Sequence, residues 1–267
     1  MIKADIICDS ISPEGNRLTT FVLTYHRFIH SEVMTYRMWS RNASSSRAIP
    51  VEKNIKQVDQ LNLQPIHWGA NQRGMSADLE ISLEDQQQAA IIWNEAKNDA
   101  VRHAKRLKDL GIHKQVINRI LEPFNIITVI VTASDWQNFF EQRCHPDAQP
   151  EIRKLAEMMQ AEYQSCEPNL LTDGQWHLPF TSQDMGERPA VFQDLIKVAV
   201  GRCARVSYLN HNGVSSVSDD MALHDRLLLS KPAHLSPFEH IAQCKAGQYA
   251  NFNGWQSYRN QLELLNA

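Results

Sequence analysis

Short apolar runs bounded by turn-forming residues predict the β-strands of this chain. Strands are expected at 4–10, 17–28, 125–133 and 241–250. The run at 125–133, NIITVIVTA, is dominated by β-branched side chains, which fit the pleated surface of a sheet.

Apolar positions at helical spacing predict helices at 29–39, 82–111, 114–121, 134–144, 151–163, 190–208, 218–230 and 253–265. The helix at 82–111 has the clearest boundaries, because Ser82 and Asp85 resemble a capping box and Gly111 follows its last turn. Ser134 is expected to cap the helix at 134–144. Strands and helices are mixed without strict alternation, which favours an α+β fold over a parallel doubly wound sheet.

The pattern breaks at 165–189, where three prolines and two glycines interrupt it. This break separates a first part, 1–164, from a second part, 191–267, with 165–190 as the connecting segment. We expect one compact domain overall. Two polar and aromatic stretches, WGANQRGM at 68–75 and GQWHLPF at 174–180, are interpreted as lids over a ligand or as packed surface loops.

Composition narrows the class of protein. The 267 residues are 43% hydrophobic and 21% charged, as is usual for a globular protein, and the formal net charge of -3 argues against binding to polymeric nucleic acid. The five cysteines form no C-x-x-C pair, so we expect no metal site and reduced thiols in the cytoplasm. No apolar run approaches the roughly 20 residues of a membrane span, and no signal peptide is recognised.

The stretch MWSRNASSSRAIP at 38–50 is unusually rich in hydrogen-bond donors. Guanidinium groups bind phosphate through two parallel hydrogen bonds, so the donors suit a phosphate or carboxylate ligand. They are Arg41, Ser44, Ser45, Ser46 and Arg47. Serine and asparagine also favour turns, so a solvated turn is the alternative. Arg119 and Arg143 lie near predicted helix ends, where a cation also interacts favourably with the helix dipole.

No hydrolase motif is recognised in the sequence. It contains no G-x-S-x-G, no H-E-x-x-H and no glycine-rich phosphate loop. Cys144 is followed by His145, but adjacent residues at a helix end do not face each other, so this pair is not interpreted as a nucleophile and its base.

Together these segments resemble the flavin-dependent thymidylate synthase (ThyX) family. The family signature is R-H-R-x-x-S-x-N-x-x-S-x-R, and TYRMWSRNASSSR matches it at Arg37, Ser40, Asn42, Ser45 and Arg47. It departs from the signature at Thr35 and Tyr36. NRILEP is similar to the arginine-bearing helix of the family, and ASDWQNFFEQR is similar to its N-F-x-x-x-R helix.

Two further family segments, ARVSY and HLSPFEH, lie after residue 200 here, whereas the family has them before the signature. HLSPFEH continues into a stretch that ends in Tyr258 and Arg259, which echoes Tyr36 and Arg37 of the signature. The resemblance is therefore to a circularly permuted member with the helix at the junction present twice. It implies a ThyX-like α+β fold, with a mixed or antiparallel sheet flanked by long helices.

The resemblance implies transfer of a one-carbon unit from methylenetetrahydrofolate to C5 of dUMP, with FAD as hydride donor and NADPH as the reductant of the flavin. It assigns catalysis to Arg47, Arg119 and Arg143, and dUMP binding to Ser45, Ser46, Arg47, Arg119, Arg143, Gln256 and Arg259. It assigns the flavin and folate side to Tyr36, Arg37, Ser40, Asn42, Asn138, Ser207, His234, Ser236 and Glu239. It also implies a homo-oligomer, with a tetramer favoured.

Alternatives remain open within this family. Thr35, Tyr36 and the segment 132–134 replace residues that commonly hold the flavin. If the flavin is lost, water would trap the transferred carbon, and the product would be a hydroxymethyl nucleotide. A nucleotide-binding relative without catalysis is a third interpretation. The sequence does not separate dUMP from dCMP, because that choice depends on a few hydrogen bonds at position 4 of the ring.

Overall fold

The computed structural model describes residues 1–77, 79–182, 188–189, 191–208 (without the side chain of Tyr208) and 216–265. Within these residues the strands form a five-stranded sheet, ordered β3-β4-β2-β1-β5, and a three-stranded sheet, ordered β6-β7-β8. The strands are β1 (Lys3–Ile11), β2 (Arg17–His26), β3 (Ser40–Ala43), β4 (Ile126–Ala133), β5 (Asn169–Leu170), β6 (Trp176–His177), β7 (Ala242–Tyr249) and β8 (Phe252–Ser257). The pairing of β1 with β5 is parallel, and the other strand pairs are antiparallel.

The α-helices are α1 (His30–Val33), α2 (Val51–Leu61), α3 (Leu83–Asp109), α4 (Lys114–Ile117), α5 (Gln137–Arg143), α6 (Pro150–Ser165), α7 (Phe192–Tyr208), α8 (Val217–Leu229) and α9 (Tyr258–Leu265). Short 3₁₀ helices cover Arg27–Ile29, Ser46–Ala48, Asn118–Phe124 and Ser236–His240. The predicted α+β class is confirmed. Among the residues that the structure describes, none of the helices combines the length and the apolar character needed to cross a membrane.

Local signals predicted several elements correctly. The long helix α3 begins after Ser82, whose hydroxyl accepts a hydrogen bond from the Asp85 N–H, and ends just before Gly111, which has a positive φ of 76°. Strand β4 covers all but the first residue of the predicted run. Helices α6, α7 and α8 also lie where apolar spacing predicts them.

The predicted helix at 253–265 is wrong over its first part. Residues 252–257 form β8, which pairs with β7, and the helix begins only at Tyr258. Gly254 has a positive φ of 77°, which does not occur inside a right-handed helix, and Trp255 is fully buried. The echo between the two Tyr-Arg segments is therefore not matched in secondary structure, since Tyr36 lies in the turn after α1.

Three other helix predictions need correction at their ends. The helix predicted at 29–39 is reduced to α1, because the chain turns to form β3 at Ser40. The helix predicted at 114–121 becomes α4 followed by a 3₁₀ helix that contains Pro123. Ser134 does not cap α5; its hydroxyl accepts a hydrogen bond from the Asn253 N–H at 3.0 Å, and α5 begins after the buried Trp136.

Strand β4 lies between two cores, and its side chains alternate between them. Ile127, Val129 and Val131 pack with α5 and α6, in a cluster that includes Phe139 and Leu155. Ile130 points the other way and packs with α7, α8 and the 3₁₀ helix at 236–240, in a cluster that includes Val200, Cys203 and Phe238. The second part of the chain thus packs directly on the sheet of the first. The boundary predicted within 165–190 stays a prediction.

A chain of buried polar side chains joins the two parts of the sequence. The His177 ring bonds through Nδ1 to Ser10 Oγ at 2.8 Å and through Nε2 to Thr20 Oγ1 at 2.7 Å. Thr20 Oγ1 lies 2.7 Å from Thr132 Oγ1, which lies 2.9 Å from His240 Nδ1. His177 is completely buried in β6. The interpretation of the segment 174–180 as a lid or a surface loop is therefore wrong for its centre.

Burial keeps both imidazoles neutral. Loss of hydration lowers the pKa of His177 and of His240 to about 3, from an ordinary value of 6.5. A neutral ring carries one N–H, which suits a chain of hydroxyl groups that each donate one hydrogen bond and accept another.

Acid should destabilise the protein through this chain. Between pH 6.5 and 3 the unfolded chain binds protons at His177 and His240 that the folded chain does not bind, so the free energy of unfolding falls as the pH falls through this range. Each of the two histidines should contribute roughly 1 kcal/mol per pH unit. Urea unfolding at a series of pH values measures this slope.

The variant His177→Gln should be less stable at pH 7 and should show a shallower slope between pH 6 and 4. His26 and His30, whose pKa values burial lowers to about 4, contribute to the slope of both proteins alike. An unchanged slope in the variant would show that His177 does not titrate in this way.

Candidate active site

The ThyX-like signature runs along an edge of the five-stranded sheet as β3. This strand pairs with β4 in antiparallel register, with Ser40 opposite Thr132 and Ala43 opposite Val129. Residues before β3 therefore lie near the end of β4, and residues after β3 lie near its start. The eight residues of β4 span roughly 27 Å, so the candidate donors fall into two separate groups.

The first group lies near the start of β4, and we name it the Glu122 cluster: Arg27, Ser46, Arg119 and Glu122. The Ser46 hydroxyl donates to Glu122 Oε1 at 2.6 Å, and Arg119 Nη1 donates to the same oxygen at 2.9 Å. Arg27 Nη2 lies 2.9 Å from this oxygen as well. Two predicted nucleotide ligands, Ser46 and Arg119, thus share one carboxylate.

Backbone contacts hold the loop that carries Ser46. The Asn118 amide donates to the carbonyl of Ser46 at 2.7 Å and to that of Ile49 at 2.9 Å. The Ser45 N–H donates to the Ser207 carbonyl at 3.1 Å, which brings together a predicted nucleotide ligand and a predicted cofactor ligand. Arg47 is exposed beside them.

The second group lies near the end of β4, and we name it the Tyr36 cluster: Tyr36, Trp39, Phe139, Gln142 and Arg143. Arg143 Nε donates to the Tyr36 hydroxyl at 2.9 Å, and that hydroxyl lies 3.2 Å from Gln142 Oε1. The Tyr36 ring stacks on Trp39 with ring centres 5.1 Å apart and meets the edge of Phe139 at 4.8 Å. A residue at which the sequence departs from the ThyX signature thus contacts a predicted catalytic arginine.

A cavity of about 340 Å³ lies next to the Tyr36 cluster. Its lining consists of Arg37, Trp39, Glu239, Ala250, Asn251, Ser257, Arg259, Asn260 and Glu263. The cavity brings together three residues that the sequence predicts for the site, namely Arg37, Glu239 and Arg259.

Carboxylates already neutralise Arg259 within this cavity. Its guanidinium donates to Glu239 and, through Nε, to Glu263 at 2.7 Å. The hydrogen bond to Glu263 and the nearby negative charges raise the pKa of Arg259 above its ordinary value. The predicted ligand Gln256 is buried, and its amide donates to Asn260 Oδ1 at 3.0 Å.

The remaining predicted residues occupy varied environments. Ser40 is buried in β3, and its hydroxyl accepts a hydrogen bond from the Asn251 amide at 3.1 Å. Asn42 is buried in β3, whereas Asn138, His234 and Ser236 are exposed. One chain keeps Arg119 and Arg143 at opposite ends of β4. The convergence of Arg47, Arg119 and Arg143 on one mononucleotide stays a prediction.

Sequence reasoning missed three residues that organise these groups. Glu122 follows Arg119 by three residues in NRILEP, a spacing that indicates a pair on one helical face and could have identified it. Arg27 and Asn251 carry no local signal. They reach their partners only through the packing of distant segments.

The thiols are not set up for nucleophilic catalysis. Burial raises the pKa of all five cysteines, that of Cys8 to about 12. A reactive cysteine instead needs a lowered pKa, because the thiolate is the nucleophile.

The cavity beside the Tyr36 cluster is small and acidic for a flavin dinucleotide. Its volume lies at the low end of the roughly 300–1,000 Å³ of sites for drug-sized ligands, and FAD is larger than such ligands. Glu239 and Glu263 would repel a diphosphate, and they already pair with Arg259. The cavity of one chain therefore does not fit a whole FAD molecule.

Comparison with known proteins defines the class as thymidylate synthase-like. The profile of the family described as thymidylate synthase complementing protein matches residues 17–169, more than half of the chain. The chain therefore belongs to this family, the flavin-dependent thymidylate synthase (ThyX) family that the signature predicted. The match includes both clusters and ends before the HLSPFEH segment.

Solved structures show a more distant likeness. A UMP/dUMP methylase PolB from Streptomyces cacaoi bound with 5-Br UMP is 17% identical, with a TM-score of 0.49 over 61% of this chain and 88% of that chain. The same enzyme bound with 5-Br dUMP is 18% identical, with a TM-score of 0.47 over 61% and 90%. Both TM-scores are below 0.5, so membership of the family rests on the sequence match. None of the curated protein sequences that were compared matches the chain significantly.

Arg143→Ala should weaken the binding of dUMP by about 10- to 100-fold, since hydrogen bonds between charged groups contribute more than neutral ones. The fold should persist, because the guanidinium is only partly buried and the Tyr36 ring keeps its contacts with Trp39 and Phe139. Isothermal titration with dUMP measures the dissociation constant. Arg102→Ala, which removes an exposed guanidinium from α3, is the control and should bind normally. Equal affinity in the two variants would remove Arg143 from the site.

Proposed function

We propose that this protein transfers a one-carbon unit from methylenetetrahydrofolate to C5 of dUMP and, with flavin as hydride donor and NADPH as reductant, forms dTMP. The observation that carries the proposal is the family match at 17–169, which encloses the signature and both arginine clusters. Since the cavity of one chain does not fit FAD, the flavin would have to bind between copies of the chain, where it would supply the hydride that reduces the transferred carbon to a methyl group.

The donors suit the demands of this reaction. C5 of uracil is a weak nucleophile, so the site must stabilise the negative charge that develops on the ring. Fixed guanidinium and hydroxyl groups stabilise such charge strongly where water is excluded. We assign this role to Arg119 in an assembled site that covers its half-exposed side chain, and the binding of the nucleotide to Ser45, Ser46, Arg47, Arg119 and Arg143. The raised pKa values of the thiols support a reaction without a covalent cysteine.

The separation of the clusters supports a site shared between copies of the chain. Roughly 17 Å of β4 separates Thr128, which lines the cavity of the Glu122 cluster, from Ala133 at the other end of the strand, and this is longer than a mononucleotide. Helix α3 supports an oligomer, because Leu83, Ile91 and Ile92 in its first half are more than half exposed. We infer a homo-oligomer, with a tetramer favoured, in which one copy supplies the Glu122 cluster and another supplies Arg143.

Circular permutation is part of the proposal. The 3₁₀ helix in HLSPFEH packs on β3 and β4, next to the signature, although it comes more than 190 residues later in the chain. Such packing is expected if the segment keeps its place in the fold while its position in the sequence changes.

Hydroxymethylation of dUMP or dCMP without a hydride step is the second candidate. It is favoured by the contacts of residues that replace the usual flavin ligands of the family. Tyr36 is bound to Arg143, Thr132 bonds to Thr20 and His240, and Ser134 accepts from the backbone of Asn253. These side chains are already engaged within the chain, which leaves fewer groups for a flavin.

The product distinguishes the candidates. The purified protein is incubated with dUMP or dCMP, methylenetetrahydrofolate and NADPH, and the nucleotide is analysed by mass spectrometry. A yellow protein with flavin absorbance that forms dTMP supports the first proposal. A colourless protein whose product contains one oxygen atom more than the corresponding methylated nucleotide supports hydroxymethylation. Binding of dUMP without turnover would contradict both and support a non-catalytic relative.

A further inference from the structure

In the Glu122 cluster, three donor groups surround one carboxylate oxygen. Glu122 Oε1 accepts from Ser46 at 2.6 Å and from Arg119 at 2.9 Å, and it lies 2.9 Å from Arg27 Nη2. Two guanidinium groups and a hydroxyl around one oxygen form the kind of donor set that binds a phosphate oxygen. Glu122 thus occupies the position of an anion between two predicted nucleotide ligands.

The three donors are not held equally. The Arg27 side chain is 14% exposed, and its backbone N–H donates to the Asn125 carbonyl at 2.8 Å. The Arg119 side chain is 54% exposed and pairs with Glu122 across three residues of one 3₁₀ helix. Exposed pairs of this kind contribute little to stability, so a stronger anion can displace Glu122 from Arg119.

Amide side chains line the same cavity as Glu122. The Gln57 amide donates to Asn125 Oδ1 at 3.0 Å, and the Asn125 amide donates to Asn54 Oδ1 at 2.7 Å. These groups and the three partners Arg27, Ser46 and Glu122 line a polar cavity of only about 30 Å³, which is room for about one water molecule. Glu122 and Arg27 therefore have little space to move inward, whereas Arg119 can move outward into solvent.

We propose that Glu122 is a positioning residue that makes the nucleotide site selective for a phosphate dianion. In the free protein Glu122 holds Arg119 and Ser46 in place, and it releases them to the incoming phosphate. Arg27 remains paired with Glu122 and neutralises the carboxylate. A phosphate carries up to two negative charges and three acceptor oxygens, so it competes with a carboxylate for these donors, and an uncharged nucleoside does not. This inference rests on the proposed function, because it concerns the same nucleotide site.

Removal of the Glu122 charge should strengthen phosphate binding. In Glu122→Gln the amide oxygen still accepts hydrogen bonds but holds Arg119 less tightly and no longer repels an anion. The affinity for dUMP and for inorganic phosphate should rise about 3- to 10-fold, and that for 2′-deoxyuridine should not change. A purely structural role for Glu122 predicts the opposite sign, because damage to the site would weaken binding.

The experiment is isothermal titration of the full chain with these three ligands, over a cycle of Glu122→Gln, Arg119→Gln and the double variant. The gain from Glu122→Gln should be lost when Arg119 is absent, which separates release of Arg119 from a general change in charge. Asp99→Asn is the matched control, since Asp99 also pairs with an arginine three residues away but lies on α3. It should leave the affinities unchanged.

The outcomes separate this inference from the proposed function. If the unmodified protein binds dUMP and Glu122→Gln binds it equally or more weakly, the inference fails and the proposed function stands. If neither protein binds dUMP, both fail. If Glu122→Gln does not fold, as judged by thermal unfolding, Glu122→Asp carries the test, because it keeps the charge beside Arg27 and shortens the reach to Ser46 and Arg119. Its affinity for phosphate should also rise, and a fall would overturn the inference.

Discussion

The pairing of strand β4 with β2 and β3 is the constraint on which the rest of the structure depends. Its alternating side chains form parts of two cores, and its Thr132 hydroxyl connects the buried chain from Ser10 and His177 to His240. The two ends of β4 place the candidate donors in separate groups. A change of register by one residue would turn Thr132 and Ile130 toward the wrong core and would misplace both groups together.

Charge is the second organising feature. A protein that binds an anion must keep its cationic donors in place when the anion is absent, and free guanidinium groups close together repel each other. Carboxylates meet this requirement at both ends of β4: Glu122 pairs with Arg27 and Arg119, and Glu239 and Glu263 pair with Arg259. The proposed ligand would have to replace the same contacts that hold these guanidinium groups in the free protein.

The sequence predicts well what short-range interactions determine. The β-branched run of β4 and the capped helix α3 follow from local patterns, and the signature correctly indicates the family. Residues 252–257 could not be assigned in this way, because their strand depends on pairing with β7 and on the positive φ of Gly254. The roles of the predicted site residues stay predictions. Their distribution over the two ends of β4 could not be predicted from the sequence, since it depends on the long-range register that places Ser40 opposite Thr132.

In the proposed site, donors at the two ends of β4 act on one nucleotide from different copies of the chain. Complementation between subunits tests this arrangement most directly. Arg119→Ala and Arg143→Ala are purified separately, and mixed oligomers are purified after co-expression of the two variants. The binding of dUMP is then measured for all three proteins. A mixed oligomer would contain some sites with both arginines intact. If the site is shared between copies, the binding of dUMP should therefore be partly restored. If the mixed oligomers bind dUMP no better than either variant alone, the two arginines do not meet across copies, and the shared site is wrong.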